Sequence, residues 1–224
     1  SNILNSDWAI GVVQIRESAE AEPQPGFMVM HRDQFTIKDT WFTIGMRGTG
    51  SNNFLAHDQW IPADQVIGAG ALVGPAMESA AEAHFLQRLT PLSMFPTVIL
   101  SGPLGAAKTA LALTAQAAEK RGITYSKYHP QNTSGVFVHG IGAARAKVEA
   151  AELSLQRAAD MIDTAAAGTV PLSPGDRAHI RNLCAHAAHS LADAVNDIAW
   201  LHGTATFSEA SQIGRLWRDV NTGV

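Results

Sequence analysis

The chain changes character at Gly68, and that change limits the folds open to it. Before Gly68, short β-branched and aromatic runs alternate with polar turns. Trp8–Ile15 reads WAIGVVQI, and Phe27–His31, Phe35–Ile37, Trp41–Ile44 and Phe54–Ile61 follow it. The stretch Glu22–Gly26, with two prolines and a glycine, reads as a turn between the first two runs. Runs of this length and composition, separated by turn residues, predict a sheet.

Beyond Gly68 the sequence becomes rich in Ala and Leu and carries helix boundary signals. Thr90-Pro91 is a cap followed by proline at the first helical position, and a helix can run from there to Lys120, with Gly122 just past its end. Pro96 and Pro103 lie inside that span, which predicts kinks or a later start near Gly102. A second helix is expected from Val136 to Ala167, with Gly168 as its stop. A third starts at Ser173-Pro174-Gly175-Asp176, a cap with an acidic first turn. Its apolar positions Ile180, Leu183, Cys184, Ala187, Leu191, Ala194, Val195, Ile198 and Leu201 recur in steps of three and four, so they form one buried stripe. Gly203 ends it, and a short fourth helix covers about Ser208 to Asn221. The expected fold is α+β but mainly α: part of a β-sheet or barrel domain over 1–68, then a four-helix bundle over 69–224.

Bulk properties narrow the partners. The 224 residues are 46% hydrophobic and only 16% charged, a low charge fraction that leaves surface for other chains to cover. A net charge of −4 without basic runs gives no footprint for nucleic acid and no support for an anionic membrane. No apolar run is expected to reach the length of a membrane span. The single cysteine, Cys184, excludes an internal disulfide framework and fits a reducing, cytoplasmic setting. On the apolar stripe it reads as a small hydrophobe.

Few residues stand out as chemical. Gly45–Asn53 holds three glycines, Gly45, Gly48 and Gly50, together with Arg47, Thr49 and Ser51. Such a segment brings backbone and side-chain donors toward an anion, although by itself it reads as a Gly-rich turn. It is neither a P-loop nor a dinucleotide fingerprint. His179, His186 and His189 share a helix face, and Glu149 and Glu152 could complement them, but no Glu-x-x-His pair occurs, so no metal site is expected. The connection Glu119–Gly140, carrying Tyr125, Tyr128, His129 and Gln131, reads as a long interhelical loop or as a ligand contact.

Taken together, these pieces resemble a known pattern. Trp41–Asn52, reading WFTIGMRGTGSN, is similar to the W…GMRGTGSND segment of flavin-dependent monooxygenases built on the acyl-CoA dehydrogenase fold. Ile61–Val66 resembles their VPEHRV, Leu201–Phe207 their AAGTSAF, and Gly214–Asn221 their LQRIWRDVN. The resemblance implies the oxygenase of a two-component system, fed with reduced FMN or FAD by a partner flavin reductase. It implies O2 as co-substrate, reaction through a flavin C4a-hydroperoxide, a small organic substrate and a homotetramer. It also implies an N-terminal helical domain ahead of Ser1, of roughly a hundred residues as domains go. A catalytic His would follow the Arg218-Asp219 pair beyond Val224, so the chain is expected to be a fragment.

Specific residues acquire roles from the same resemblance. Ser1, seven residues before Trp8, would hydrogen-bond the flavin N5 edge. Trp41 would wall the ring, and Gly50 and Ser51 would meet the ribityl chain or phosphate. Arg121 would reach the phosphate of a neighbouring subunit's flavin, a task suited to its paired donors. It could equally complement a helix C-terminus. The competing readings are an acyl-CoA dehydrogenase or oxidase, which needs a Glu base and finds none after Glu209, and a helical module that only assembles.

Overall fold

The computed structural model describes residues 2–72, 88–168 and 170–224. They form two compact units, Ser1–Leu92 and Ser93–Val224. No strand follows Gly68 among the described residues, so the sheet ends where the composition changes. The first unit itself continues to Leu92 rather than stopping at 68.

In the first unit, β1 (Trp8–Ile15), β2 (Gln24–His31) and β5 (Val66–Gly68) form an antiparallel sheet in the order β1-β2-β5. The long pair runs in register from Trp8 opposite His31 to Ile15 opposite Gln24. The expected turn at Glu22–Gly26 therefore begins too late, because Gln24, Pro25 and Gly26 already lie in β2. Proline is tolerated there because β5 pairs only from Gly26 onward, so Pro25 has a strand on one side alone. Gly26 is required: a Cβ would meet the Ile15 side chain and stand 2.8 Å from the Ile67 carbonyl oxygen. A second, two-stranded sheet pairs β3 (Thr36–Lys38) with β4 (Asn53–Leu55). A small core of Ile3, Ala9, Met30 and Phe35 lies inside, with Phe54 and Ile61 packed on it.

Two expected strands are corrected. Trp41–Ile44 is irregular, because its first amide is held by a side chain instead of a neighbouring strand. Only the start of Phe54–Ile61 is strand. The chain leaves the extended conformation by Asp58, which sits in the left-handed region at φ 51°.

The second unit is the bundle. Its helices are α1 (Pro91–Ala118), α2 (Gly135–Ala167), α3 (Pro174–His202) and α4 (Gln212–Gly223). Helix α1 starts at Pro91 and is continuous through Pro96 and Pro103. Ser134 caps α2, and the Gly168 amide closes it on Thr164. Ser173 and Asp176 form a reciprocal capping box on α3, with the Asp176 amide 3.1 Å from the Ser173 hydroxyl. Gly203 at φ 80° ends α3 where a side chain would be strained. Helix α4 begins at Gln212, later than expected, because Thr204–Phe207 forms a separate 3-10 turn.

Small residues let α2 and α3 approach closely. Ala144, Ala151, Ala158 and Ala166 are buried on α2, and Ala187 and Ala194 on α3. Between them Leu191 and Ile198 are fully buried, each contributing roughly 1.5–3 kcal/mol relative to exposure. Cys184 is buried in this stripe, and burial pushes its thiol pKa up, away from the reactive range. The expectation about membrane length needs correction. Helix α1 is long and apolar enough, by length and composition, to cross a membrane, and 28% of its most apolar window is buried.

Candidate functional site

The Gly-rich segment is a tight anchor in the first unit. Met46 and Gly50, both left-handed at φ 50° and 53°, flank a 3-10 turn at Arg47–Thr49. Gly48 has nothing near its missing side chain, so the backbone there is open to approach. The amide of Asn2 donates to the Thr49 carbonyl, which ties the start of the chain to this turn. Ser1, expected at the flavin N5 edge, lies outside the described residues.

The structure brings Trp41, Gly50 and Ser51 together around that turn. The half-buried Trp41 donates its indole N–H to the Met46 carbonyl at 3.0 Å. Its backbone amide and that of Thr40 donate to the Asn52 side-chain oxygen at 2.9 and 2.8 Å. Ser51 is half-buried, and because the Thr49 hydroxyl donates to the Met46 carbonyl at 2.9 Å, Ser51 is the donor in the long 3.4 Å contact between the two hydroxyls, a weak bond that a ligand oxygen could replace. Asn52 is the residue that sequence reasoning missed. One side chain doing the work of a strand edge leaves no periodic signal.

Arg121 lies in the second unit. Its amide closes on the Ala117 carbonyl at 3.0 Å, just past α1. The loop that follows is bound rather than loose. The Ile123 amide donates to the Tyr128 carbonyl at 2.9 Å and the Gln131 amide to the Arg121 carbonyl at 2.6 Å. Gly122 packs against the His129 ring, where a Cβ would stand 2.8 Å from Cδ2. The Gln131 side chain donates to the Leu201 carbonyl at 2.8 Å, fastening the loop to the end of α3.

This brings Arg121 onto His202, the last residue of α3. Guanidinium Nη1 lies 3.1 Å from Nδ1 and 3.0 Å from Nε2 of the imidazole. Burial and then the Arg121 charge hold the His202 pKa below the ordinary histidine value, so the ring is neutral near pH 7. Next to His202 is an open hollow of about 430 Å³, lined by Leu113, Ala205, Ser208, Ser211 and Ile213.

Each unit holds a group that fits a flavin phosphate. In the first unit it is the Ser51 hydroxyl, since the amides of Thr49 and Gly50 already donate to the Met46 and Arg47 carbonyls. Arg121 is the candidate in the second unit. The Arg121 fork carries five N–H donors, of which the His202 contact engages one nitrogen. Among the described residues no group of three His, Cys, Asp or Glu is placed to hold a metal ion. His179, His186 and His189 are exposed, while Glu149 and Glu152 pair with Arg145 and Lys108.

Comparison with known proteins gives the class. Residues 98–224 match the acyl-CoA dehydrogenase C-terminal domain family, and the chain belongs to it. The relatives are more particular. The chain is 30% identical over 117 residues to the oxygenase component of an FADH(2)-dependent resorcinol hydroxylase from Rhizobium sp., covering 50% of this chain and 28% of that protein. It is 25% identical over 222 residues to a pigment production hydroxylase from Rhodococcus sp., covering 99% of this chain and 56% of that one. Among solved structures, XiaF from Streptomyces sp. in complex with FADH2 superposes with a TM-score of 0.93 at 34% identity, over 99% of this chain and 56% of XiaF. The HsaA monooxygenase from M. tuberculosis superposes at 0.86 with 21% identity, over 100% of this chain and 58% of HsaA, which shows the fold. The chain thus spans about half the length of these relatives, and less of the first.

Proposed function

We propose that this chain carries the central and C-terminal part of the oxygenase component of a two-component, reduced-flavin-dependent monooxygenase acting on a small organic substrate. The likeness to the FADH2-bound XiaF structure, at 34% identity over 99% of the chain, supports this reading most directly. Bound reduced flavin would supply the oxygen-activating chemistry, and the protein's task is to place it and exclude water. The Ser51 hydroxyl, beside Gly50, would bind the ribityl or phosphate end. Trp41, locked by Asn52 and Met46, would wall the ring. Arg121 would neutralise the phosphate, and Ser1 would hydrogen-bond N5. The named relatives favour FAD over FMN, and a separate flavin reductase would deliver it.

The same reading takes the protein as a cytoplasmic homotetramer. Phe95, Val98 and Ile99 on α1 are about half exposed. A groove of about 670 Å³ between α1 and α2 has an apolar floor including Leu111, Val138 and Ile141. Its rim charges are neutralised in two pairs, Lys108–Glu152 and Arg145–Glu149, both at 2.8 Å. An uncharged apolar groove of this kind suits another copy's helix better than a charged partner. Anaerobic ultrafiltration with reduced FAD tests the flavin assignment. Retention of reduced FAD that drops about 10- to 100-fold in affinity in Arg121→Ala is expected, the range for a hydrogen bond to a charged group. No retention by the native protein would refute it.

A further inference from the structure

We propose that His202 is a positioning residue for Arg121, holding the guanidinium in place through a neutral imidazole so that its remaining donors face the flavin phosphate. The inference rests on the assignment of Arg121 to that phosphate made above. Three observations carry it.

The first is the contact itself. Nη1 is equidistant, within 0.1 Å, from the two ring nitrogens at 3.0 and 3.1 Å. Ring lone pairs lie in the imidazole plane and point away from each other, so a nitrogen equally distant from both sits over the ring face, where a planar guanidinium stacks. The contact does not depend on the tautomer, and protonation opposes it, because imidazolium repels Arg.

The second is the anchoring. Arg121 follows the end of α1 in a loop, where a long side chain has rotamer freedom to lose on being fixed. The loop's backbone is fixed by Gln131 on the Arg121 and Leu201 carbonyls. His202 then fixes the head group from the rigid end of α3. Backbone and guanidinium are thereby tied to the same two helix ends.

The third is the surroundings. Leu113 of α1, Ala205 and Ser208 after α3, and Ser211, Gln212 and Ile213 at the start of α4 line the hollow beside His202, and none carries a charge. Arg121 is the charged group set against the ring, and with burial it keeps the imidazole neutral. The pair is therefore self-consistent: Arg121 maintains the protonation state that lets His202 hold it.

A double-mutant cycle on reduced FAD affinity, measured anaerobically in the native protein, tests this. Expected are a loss of about 3- to 10-fold in His202→Leu and near-native binding in His202→Phe, which keeps a ring face for the guanidinium. In an Arg121→Ala background, His202→Leu should cause no further loss. Equal losses with and without Arg121, or His202→Phe as weak as His202→Leu, would overturn the positioning role while leaving the phosphate assignment standing. If Arg121→Ala alone leaves affinity unchanged, the phosphate assignment fails, and this inference fails with it. A second readout needs no flavin. The NMR titration of the His202 ring should move up in Arg121→Ala, and an unmoved midpoint would also overturn the proposal.

Discussion

Truncating Asn52 to Ala isolates how the Gly-rich turn is held. The Asn52 oxygen accepts from the amides of Thr40 and Trp41 at 2.8 and 2.9 Å. Net contributions of such bonds run from about 0.5 to 1.5 kcal/mol. The Thr40 bond is exposed and belongs at the low end. The Trp41 bond is part-buried and can reach the upper value, so the pair contributes about 1–2 kcal/mol. No long ladder compensates, because β3 and β4 share only three residue pairs. Local opening should therefore become roughly 5- to 30-fold more frequent, at 1.4 kcal/mol per decade. Amide hydrogen exchange read by NMR reports this directly as lost protection at Trp41. Asn52→Asp retains the acceptor and should stay close to native protection. The reasoning is refuted if Asn52→Ala leaves Trp41 protection unchanged, or if the Asp variant loses as much as the Ala variant.

Other outcomes follow from single contacts. Gly214→Ala should destabilise the bundle by about 1–3 kcal/mol in urea unfolding, because the new Cβ would overlap the Thr206 carbonyl oxygen and α4 must shift. Gly175→Ala meets only the Ser173 hydroxyl, at 3.6 Å, and should instead stabilise by up to about 1 kcal/mol. Because the folded-state pKa of His202 lies below its unfolded value, the unfolded chain binds the proton first as pH falls through the ordinary histidine range. Stability should then drop on acidification from about pH 6.5. In His202→Gln the gap between urea midpoints at about pH 7.5 and about pH 5.5 should narrow, and an unchanged gap would show that His202 is not the group responsible.

What the sequence made legible depended on whether the signal was local. Helix α3 could be read from its stripe and its Ser173–Asp176 cap, because both lie within a few residues along the chain. Strand β1 was found to the residue, since a β-branched run flanked by polar residues leaves little choice. Trp41–Ile44 looked like a strand from its composition. It is not one, because Asn52 satisfies its first amide and Trp41 turns its indole back to Met46. The start of α1 at Pro91 was legible from Thr90-Pro91, whereas the later start near Gly102 that Pro96 and Pro103 suggested does not occur, because the helix is continuous through both prolines. The candidate site was half legible. Motif resemblance pointed to Trp41, Gly50, Ser51 and Arg121, but the Arg121–His202 contact joins residues 81 apart and has no local pattern. Its one trace in the sequence is that His202 stands where the family pattern AAGTSAF has Ala.

The measurement that bears most directly on the proposed function is isotope transfer from labelled oxygen. Native protein, FAD, a flavin reductase with its reductant and a panel of phenolic substrates are incubated under ¹⁸O2, and products are read by mass spectrometry. One labelled oxygen atom per oxidised product, dependent on both the protein and the reduced flavin, is the expected result. A parallel incubation with acyl-CoA thioesters should give no enoyl product. Unlabelled or absent product with the phenols, together with enoyl-CoA from the thioesters, would contradict the monooxygenase assignment.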